Sequence, residues 1–75
     1  MLIHIEFCVI WNYGPEFDRV SNSIKELYPE AIIEGNKNEP RSGAFEISLN
    51  GNLVYSKFST NSFPSKEELK KLLDD

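Results

Sequence analysis

The stretch AFEISLNGNLVYSKF, residues 44–58, carries the strongest structural signal in this sequence. In its first part every second residue is a large apolar one: Phe45, Ile47 and Leu49. This period of two is typical of a β-strand with one buried face. The next pair, Asn50-Gly51, favours a two-residue turn between antiparallel strands. The sequence therefore predicts a β-hairpin whose returning strand is residues 52–58.

A strand followed by a helix is predicted upstream of the hairpin. Residues 2–8 alternate in the same way, and the residues of one face are apolar: Ile3, Ile5 and Phe7. Gly14 and Pro15 end the loop that follows, where Pro15 suits the first turn of a helix. Pro29 ends this helix. Its apolar residues are spaced as on one helix face: Phe17, Val20, Ile24, Leu27 and Tyr28.

The remaining segments predict one strand, one loop and one helix. Residues 31–33, AII, form a short apolar run that predicts an inner strand. Residues 35–43, GNKNEPRSG, read as a loop. Ser65 and Glu68 form a capping box, in which each side chain bonds a free backbone amide at a helix start. The inner stripe of this last helix is Leu69, Leu72 and Leu73.

This order of elements, β-α-β-β-β-α, predicts an α+β fold. The first β-α-β unit is expected to be a right-handed crossover between parallel strands, to which the hairpin adds antiparallel neighbours. We expect one mixed four-stranded sheet with two helices packed on it, in a single domain of residues 1–75. The loop of residues 9–14 then lies at the carboxyl end of the first strand, where ligand and reaction chemistry tend to collect.

Composition limits the classes of function. The net charge is −4 and the lysines are scattered, which argues against nucleic acid and anionic lipid as partners. No apolar run approaches the roughly 18 residues that a membrane span needs. One cysteine forms no internal disulfide, and the first residues show no signal-peptide pattern. We therefore expect a cytoplasmic monomer that binds no metal, cofactor, nucleic acid or membrane.

Cys8, the only cysteine, stands three residues before the only tryptophan, Trp11. In a Cys-x-x-Cys site the second thiol resolves the mixed disulfide that the first one forms. An indole cannot do this, so Cys8 can accept a sulfur from glutathione or a protein, but another molecule must release it. The competing interpretation is that Cys8 is a small buried apolar group.

Charges near Cys8 in the sequence have opposing effects on its reactivity. The positive end of the helix that begins at Pro15 favours the reactive thiolate. The carboxylates of Glu6, Glu16 and Asp18 are expected to oppose it. The sequence therefore predicts a weak nucleophile.

Two segments carry a resemblance to a known family: GAFEISLNGNLVYSK, residues 43–57, and FPSKEEL, residues 63–69, with Tyr28-Pro29 upstream. They closely resemble the selenoprotein W-like (Rdx) family, and within it the migration and invasion enhancer branch. The resemblance implies a thioredoxin-like fold and thiol redox work linked to glutathione, thioredoxin or glutaredoxin. In mammals it also implies binding to partners such as 14-3-3 proteins.

The resemblance also implies roles for residues of the loop. Cys8 matches the first cysteine of the Cys-x-x-Cys or Cys-x-x-selenocysteine motif of the family, and Tyr13 matches an aromatic residue that often follows it. Trp11 stands where the second cysteine or selenocysteine belongs. Selenocysteine is encoded by UGA, one base from the tryptophan codon UGG, so codon 11 of the messenger distinguishes a natural tryptophan from a replaced selenocysteine.

Two functions are compatible with this sequence. The first is a monothiol redox protein, in which Cys8 reacts and a weak thiol-disulfide oxidoreductase activity is expected. The second is a non-catalytic adaptor that binds a protein partner through the Cys8–Tyr13 loop, with Trp11 as the contact.

Overall fold

Four strands and three helices make up the regular structure of residues 1–36 and 38–74, the part of the chain that the computed structural model describes. In chain order they are β1 (Leu2–Phe7), α1 (Gly14–Leu27), β2 (Ile32–Glu34), β3 (Phe45–Leu49), β4 (Asn52–Ser56), α2 (Lys57–Thr60) and α3 (Lys66–Leu73). The predicted order is confirmed, with one short additional helix between β4 and α3. None of the helices described has the length and apolar character to cross a membrane.

The four strands form one mixed sheet in the order β2-β1-β3-β4. β1 pairs in parallel with β2 and antiparallel with β3, and β3 pairs antiparallel with β4. The turn at Asn50-Gly51 is also confirmed, because its two residues have positive φ angles of 50° and 90°, as a type I′ turn requires. The predicted mixed four-stranded sheet is therefore present.

Strand β2 lies at the edge of this sheet, so the prediction of an inner strand for residues 31–33 is wrong. Ile33 stands beside Ile3 and packs against the core, whereas Ile32 stands beside Leu2 on the other face and is 61% exposed. A short apolar run shows that some of its residues are buried, but it does not show how many strands flank it. The two central positions belong to β1 and β3.

The apolar core lies between one face of the sheet and the helices α1 and α3. Its buried residues come from β1 and β3, from both helices and from two further positions: Ile3, Ile5, Val20, Ile24, Ala31, Phe45, Ile47, Tyr55, Leu69 and Leu73. α1 and α3 also contact each other, so they share this face. Because the apolar faces of β1 and β3 are buried in this core, the ends of these two strands are held in place.

Helix α2 replaces the end of the predicted strand, residues 52–58. β4 ends at Ser56, and Lys57–Thr60 form one helical turn. Directly after this turn, the hydroxyl of Tyr55 donates a hydrogen bond to the carbonyl oxygen of Ser62 at 2.7 Å. The bond holds the chain where it turns back toward α3. The alternating pattern of the sequence predicts a longer strand, because it does not show where the strand ends and α2 begins.

The capping box of α3 provides a test of the fold. The backbone N–H of Glu68 donates to Ser65 Oγ at 3.1 Å, and the N–H of Ser65 donates to Glu68 Oε1 at 3.1 Å. We expect Ser65→Ala to lower the free energy of unfolding by about 1 kcal/mol, because it leaves an amide of the first turn without its acceptor. Urea unfolding followed by circular dichroism measures this change. The exposed Ser59→Ala on α2 is the control, and an equal effect of both substitutions would contradict the assignment.

Candidate functional site

Cys8 lies directly after β1, at the end of a central strand. Its backbone N–H donates to the carbonyl oxygen of Ala44, the residue before β3, at 2.8 Å. The cysteine is only 1% exposed, yet it lies outside the apolar cluster between the sheet and the helices. Cys8 therefore lies at the end of the first strand, as predicted, but it is buried there.

A tight turn of residues 8–13 forms the cover over the sulfur. The N–H of Tyr13 donates to the Cys8 carbonyl oxygen at 3.0 Å, and the N–H of Asn12 donates to that of Val9 at 2.9 Å. Asn12 has a φ of 60°, a left-handed conformation that asparagine adopts more readily than most residues. The N–H of Trp11 donates to Cys8 Sγ at 3.4 Å. This bond connects the backbone of the turn to the sulfur.

A cavity of about 270 Å³ borders the cysteine. Its lining comes from the turn on one side and from the loop before β3 on the other: Cys8, Val9, Ile10, Glu39, Pro40 and Ser42. The volume is below the range of about 300–1,000 Å³ that is usual for ligand pockets. Because Cys8 is only 1% exposed, the turn must move before a disulfide can reach the sulfur.

The indole of Trp11 packs on the backbone of Gly43. A Cβ atom at Gly43 would lie 3.1 Å from Cζ3 and 3.3 Å from Cη2 of the indole, closer than such contacts normally come. The indole also meets the Tyr13 ring edge-on, with centroids 6.2 Å apart. Trp11 is nevertheless 58% exposed. The structure therefore brings Cys8 and Trp11 together through the Trp11 backbone, while the indole contacts a different part of the chain.

Arg41 is a residue near the site that the sequence analysis missed. Its guanidinium pairs with the carboxylates of Glu6 and Glu46, and it lies 5.4 Å from the centre of the Phe58 ring. Glu6 and Glu46 stand opposite each other on the antiparallel strands β1 and β3, where like charges repel. The opposition depends on the register between β1 and β3, so no local signal in the sequence indicates this bridging cation.

Two arginines form ion pairs with carboxylates that were expected to oppose ionisation of Cys8. Arg41 holds Glu6 through its side chain and through its backbone N–H, which donates to Glu6 Oε2 at 2.7 Å. Glu16 is paired with Arg19. Two of the three carboxylates that were expected to oppose the thiolate are therefore in ion pairs. Among the described residues, no group of three or more acidic, histidine or cysteine side chains could hold a metal ion.

Comparisons with known proteins identify relatives along nearly the whole chain. The sequence profile of the Rdx family matches residues 2–75. Migration and invasion enhancer 1 of Bos taurus is 34% identical over 67 residues, which are 89% of this chain and 56% of that protein. The Mus musculus protein of the same name gives the same values. Selenoprotein W of Danio rerio is 26% identical over 73 residues, 95% of this chain and 85% of that protein. The chain thus spans just over half the length of the two enhancer relatives.

Two solved structures share the fold. A selenoprotein W-related protein of Vibrio cholerae superposes with a TM-score of 0.80 at 22% identity, over 96% of this chain and 90% of that one. A protein of Bordetella parapertussis superposes with a TM-score of 0.77 at 18% identity, over 96% and 91%. The fold is therefore the thioredoxin-like fold of the selenoprotein W-related proteins, as the family resemblance implies.

The Arg41–Glu6 pair makes stability depend on pH. Arg41 lowers the pKa of Glu6 from its ordinary value of 4.5, chiefly by hydrogen bonding the carboxylate, and burial opposes this only in part. As pH falls below 4.5, the unfolded chain takes up the proton more readily than the folded one. The stabilisation is therefore complete above that pH and is lost as pH falls through the lowered pKa. In Arg41→Met, we expect the pKa of Glu6 to rise, as measured by NMR titration of its side-chain carboxyl.

A matched control separates this pair from a general charge effect. Lys66→Met also removes one positive charge, but it breaks an exposed pair with Glu26. We expect the pKa of Glu6 to stay unchanged in this variant. An equal rise of that pKa in both variants would contradict a specific role of Arg41.

Proposed function

Because the chain belongs to the Rdx family, whose selenoprotein W-like members are generally associated with thiol redox chemistry, we propose that it is a monothiol redox protein that reacts at Cys8. The observation that supports this proposal is the hydrogen bond from the Trp11 N–H to Cys8 Sγ at 3.4 Å. The backbone at the second position of the motif thus contacts the sulfur at the first one, although its side chain has no sulfur.

The reaction proposed is thiol–disulfide exchange with glutathione. The Cys8 thiolate attacks one sulfur of oxidised glutathione, a Cys8–glutathione disulfide forms, and the second glutathione leaves as a thiolate that takes a proton from water. Cys8 is oxidised and one glutathione is reduced. Since Trp11 cannot resolve the mixed disulfide, a second thiol from glutathione, glutaredoxin or thioredoxin releases Cys8. The reducing cytoplasm is the proposed setting.

Burial of Cys8 requires that this reaction follow an opening of the turn. An attacking sulfur and the disulfide must come into line, and Cys8 is only 1% exposed in the closed turn. The exchange is therefore expected to be slower than that of an exposed cysteine. Local openings of this kind occur in folded proteins at a lower free energy than global unfolding.

Mass spectrometry after incubation with oxidised glutathione tests the redox function. We expect the folded wild-type protein to gain one glutathionyl group, which glutaredoxin with reduced glutathione then removes. Cys8→Ser is the control and gains none, because it removes the only sulfur nucleophile of the sequence. If the adduct forms only when urea unfolds the chain, Cys8 is a structural residue and the proposal fails.

The exposed residues of the same turn favour a second function, that of an adaptor. Val9, Ile10 and Trp11 are 62%, 84% and 58% exposed. Three consecutive large apolar side chains on a surface turn are typical of a protein contact, and tryptophan is enriched among residues that dominate such contacts. We propose thioredoxin, glutaredoxin or a 14-3-3 protein as the partner.

Binding measurements by calorimetry distinguish the adaptor from the redox protein. With a partner that binds the wild type, we expect Ile10→Ser and Trp11→Ala to weaken binding by about ten-fold or more each. Cys8→Ser should keep the wild-type affinity. The control is Leu53→Ser, which changes a residue that is 57% exposed on β4, away from the turn. Equal affinities of all four variants would exclude the turn as the contact.

A further inference from the structure

The contact between Trp11 and Gly43 joins the two sides of the Cys8 cavity. Val9 and Ile10, in the same turn as Trp11, line one side, and Ser42, which precedes Gly43, lines the other. We propose that the packing of the Trp11 indole on Gly43 is a latch that keeps the turn closed over Cys8. The proposal rests on the proposed redox function and names the contact that regulates access to its thiol.

The backbone and the indole of Trp11 act on Cys8 together. The N–H of Trp11 bonds to Cys8 Sγ, while the indole lies on Gly43. When the indole leaves Gly43, the backbone of the turn is free to move, and the bond to sulfur is broken in the same movement. Both the backbone and the side chain of Trp11 therefore hold the turn in its closed form.

Gly43 is the residue that permits the closed latch. Its φ is +75°, a conformation that residues with side chains rarely adopt, and an added Cβ atom would lie only 3.1 Å from the indole. The next residue, Ala44, accepts the hydrogen bond from the Cys8 N–H. The sheet therefore fixes Gly43 relative to Cys8, so a side chain at position 43 must push against the indole and loosen its packing.

Another glycine of the chain provides a matched control. Gly51, in the turn between β3 and β4, has a φ of +90°, but an added Cβ atom meets nothing within 4 Å. Alanine at either position therefore strains the backbone in a similar way. Only alanine at position 43 also pushes against the indole.

The test is the rate at which folded protein reacts with a dipyridyl disulfide, an activated small disulfide. The Cys8 thiolate attacks one sulfur, a Cys8–pyridyl disulfide forms, and the released thiopyridone is followed by its absorbance. Cys8 is oxidised and half of the probe is reduced. We expect the folded wild type to react at least about ten-fold more slowly than the urea-unfolded chain. We expect Trp11→Ala and Gly43→Ala each to raise the rate of the folded protein by about ten-fold.

Controls separate the latch from a loss of stability. Gly51→Ala should react at the wild-type rate, and adding Gly43→Ala to Trp11→Ala should cause no further increase, because the contact is already gone. If Gly43→Ala does not fold, as shown by circular dichroism, Trp11→Ala alone provides the test. A rate in Trp11→Ala no higher than in the wild type overturns the proposal, as does an equal acceleration by Gly43→Ala and Gly51→Ala.

The two proposals fail in different measurements. If the protein forms no glutathione adduct but reacts with the dipyridyl disulfide at the expected rates, the latch proposal stands and the redox proposal fails. If the folded protein forms the glutathione adduct as fast as an unfolded chain, the redox proposal stands and the latch proposal fails.

Discussion

The hydrogen bond from the Cys8 N–H to the Ala44 carbonyl oxygen is the constraint on which the arrangement of this site depends. It is the last bond between the two central strands, and it fixes the end of β1 against the start of β3. Because the apolar face of both strands is buried under α1 and α3, this end of the sheet cannot shift without opening the core. The turn that follows Cys8 thus starts from a fixed point, beside the equally fixed Gly43.

This arrangement accommodates a tryptophan where the family resemblance places the second residue of a redox motif. The backbone N–H of that position bonds to Cys8 Sγ whatever side chain it carries, so this part of the motif is independent of a second sulfur. In the proposed reaction there is no internal resolving step, and an external thiol takes its place. What the indole adds is a packing contact with the loop before β3. The chain thus combines a buried sulfur with an exposed apolar turn, and the two proposed functions use residues of the same turn.

The parts of the fold that depend on local signals could be predicted from the sequence, and the parts that depend on distant contacts could not. The hairpin at Asn50-Gly51 and the cap at Ser65 are set by residues within a few positions of each other. The edge position of β2 and the bridge from Arg41 to two strands depend on the order of strands in the sheet. The contact of Trp11 with Gly43 joins residues far apart in the chain, so no period or motif indicates it. The family resemblance, by contrast, rests on longer segments and is confirmed.

We infer that the turn over Cys8 opens locally while the sheet stays folded. The most direct measurement is the rate of reaction of Cys8 with a small disulfide as a function of urea concentration. Local opening exposes little surface, so the rate should be nearly independent of urea at low concentrations and should rise only where global unfolding takes over. A rate that follows global unfolding from the lowest urea concentration, or one that equals the unfolded rate in water, would contradict this account.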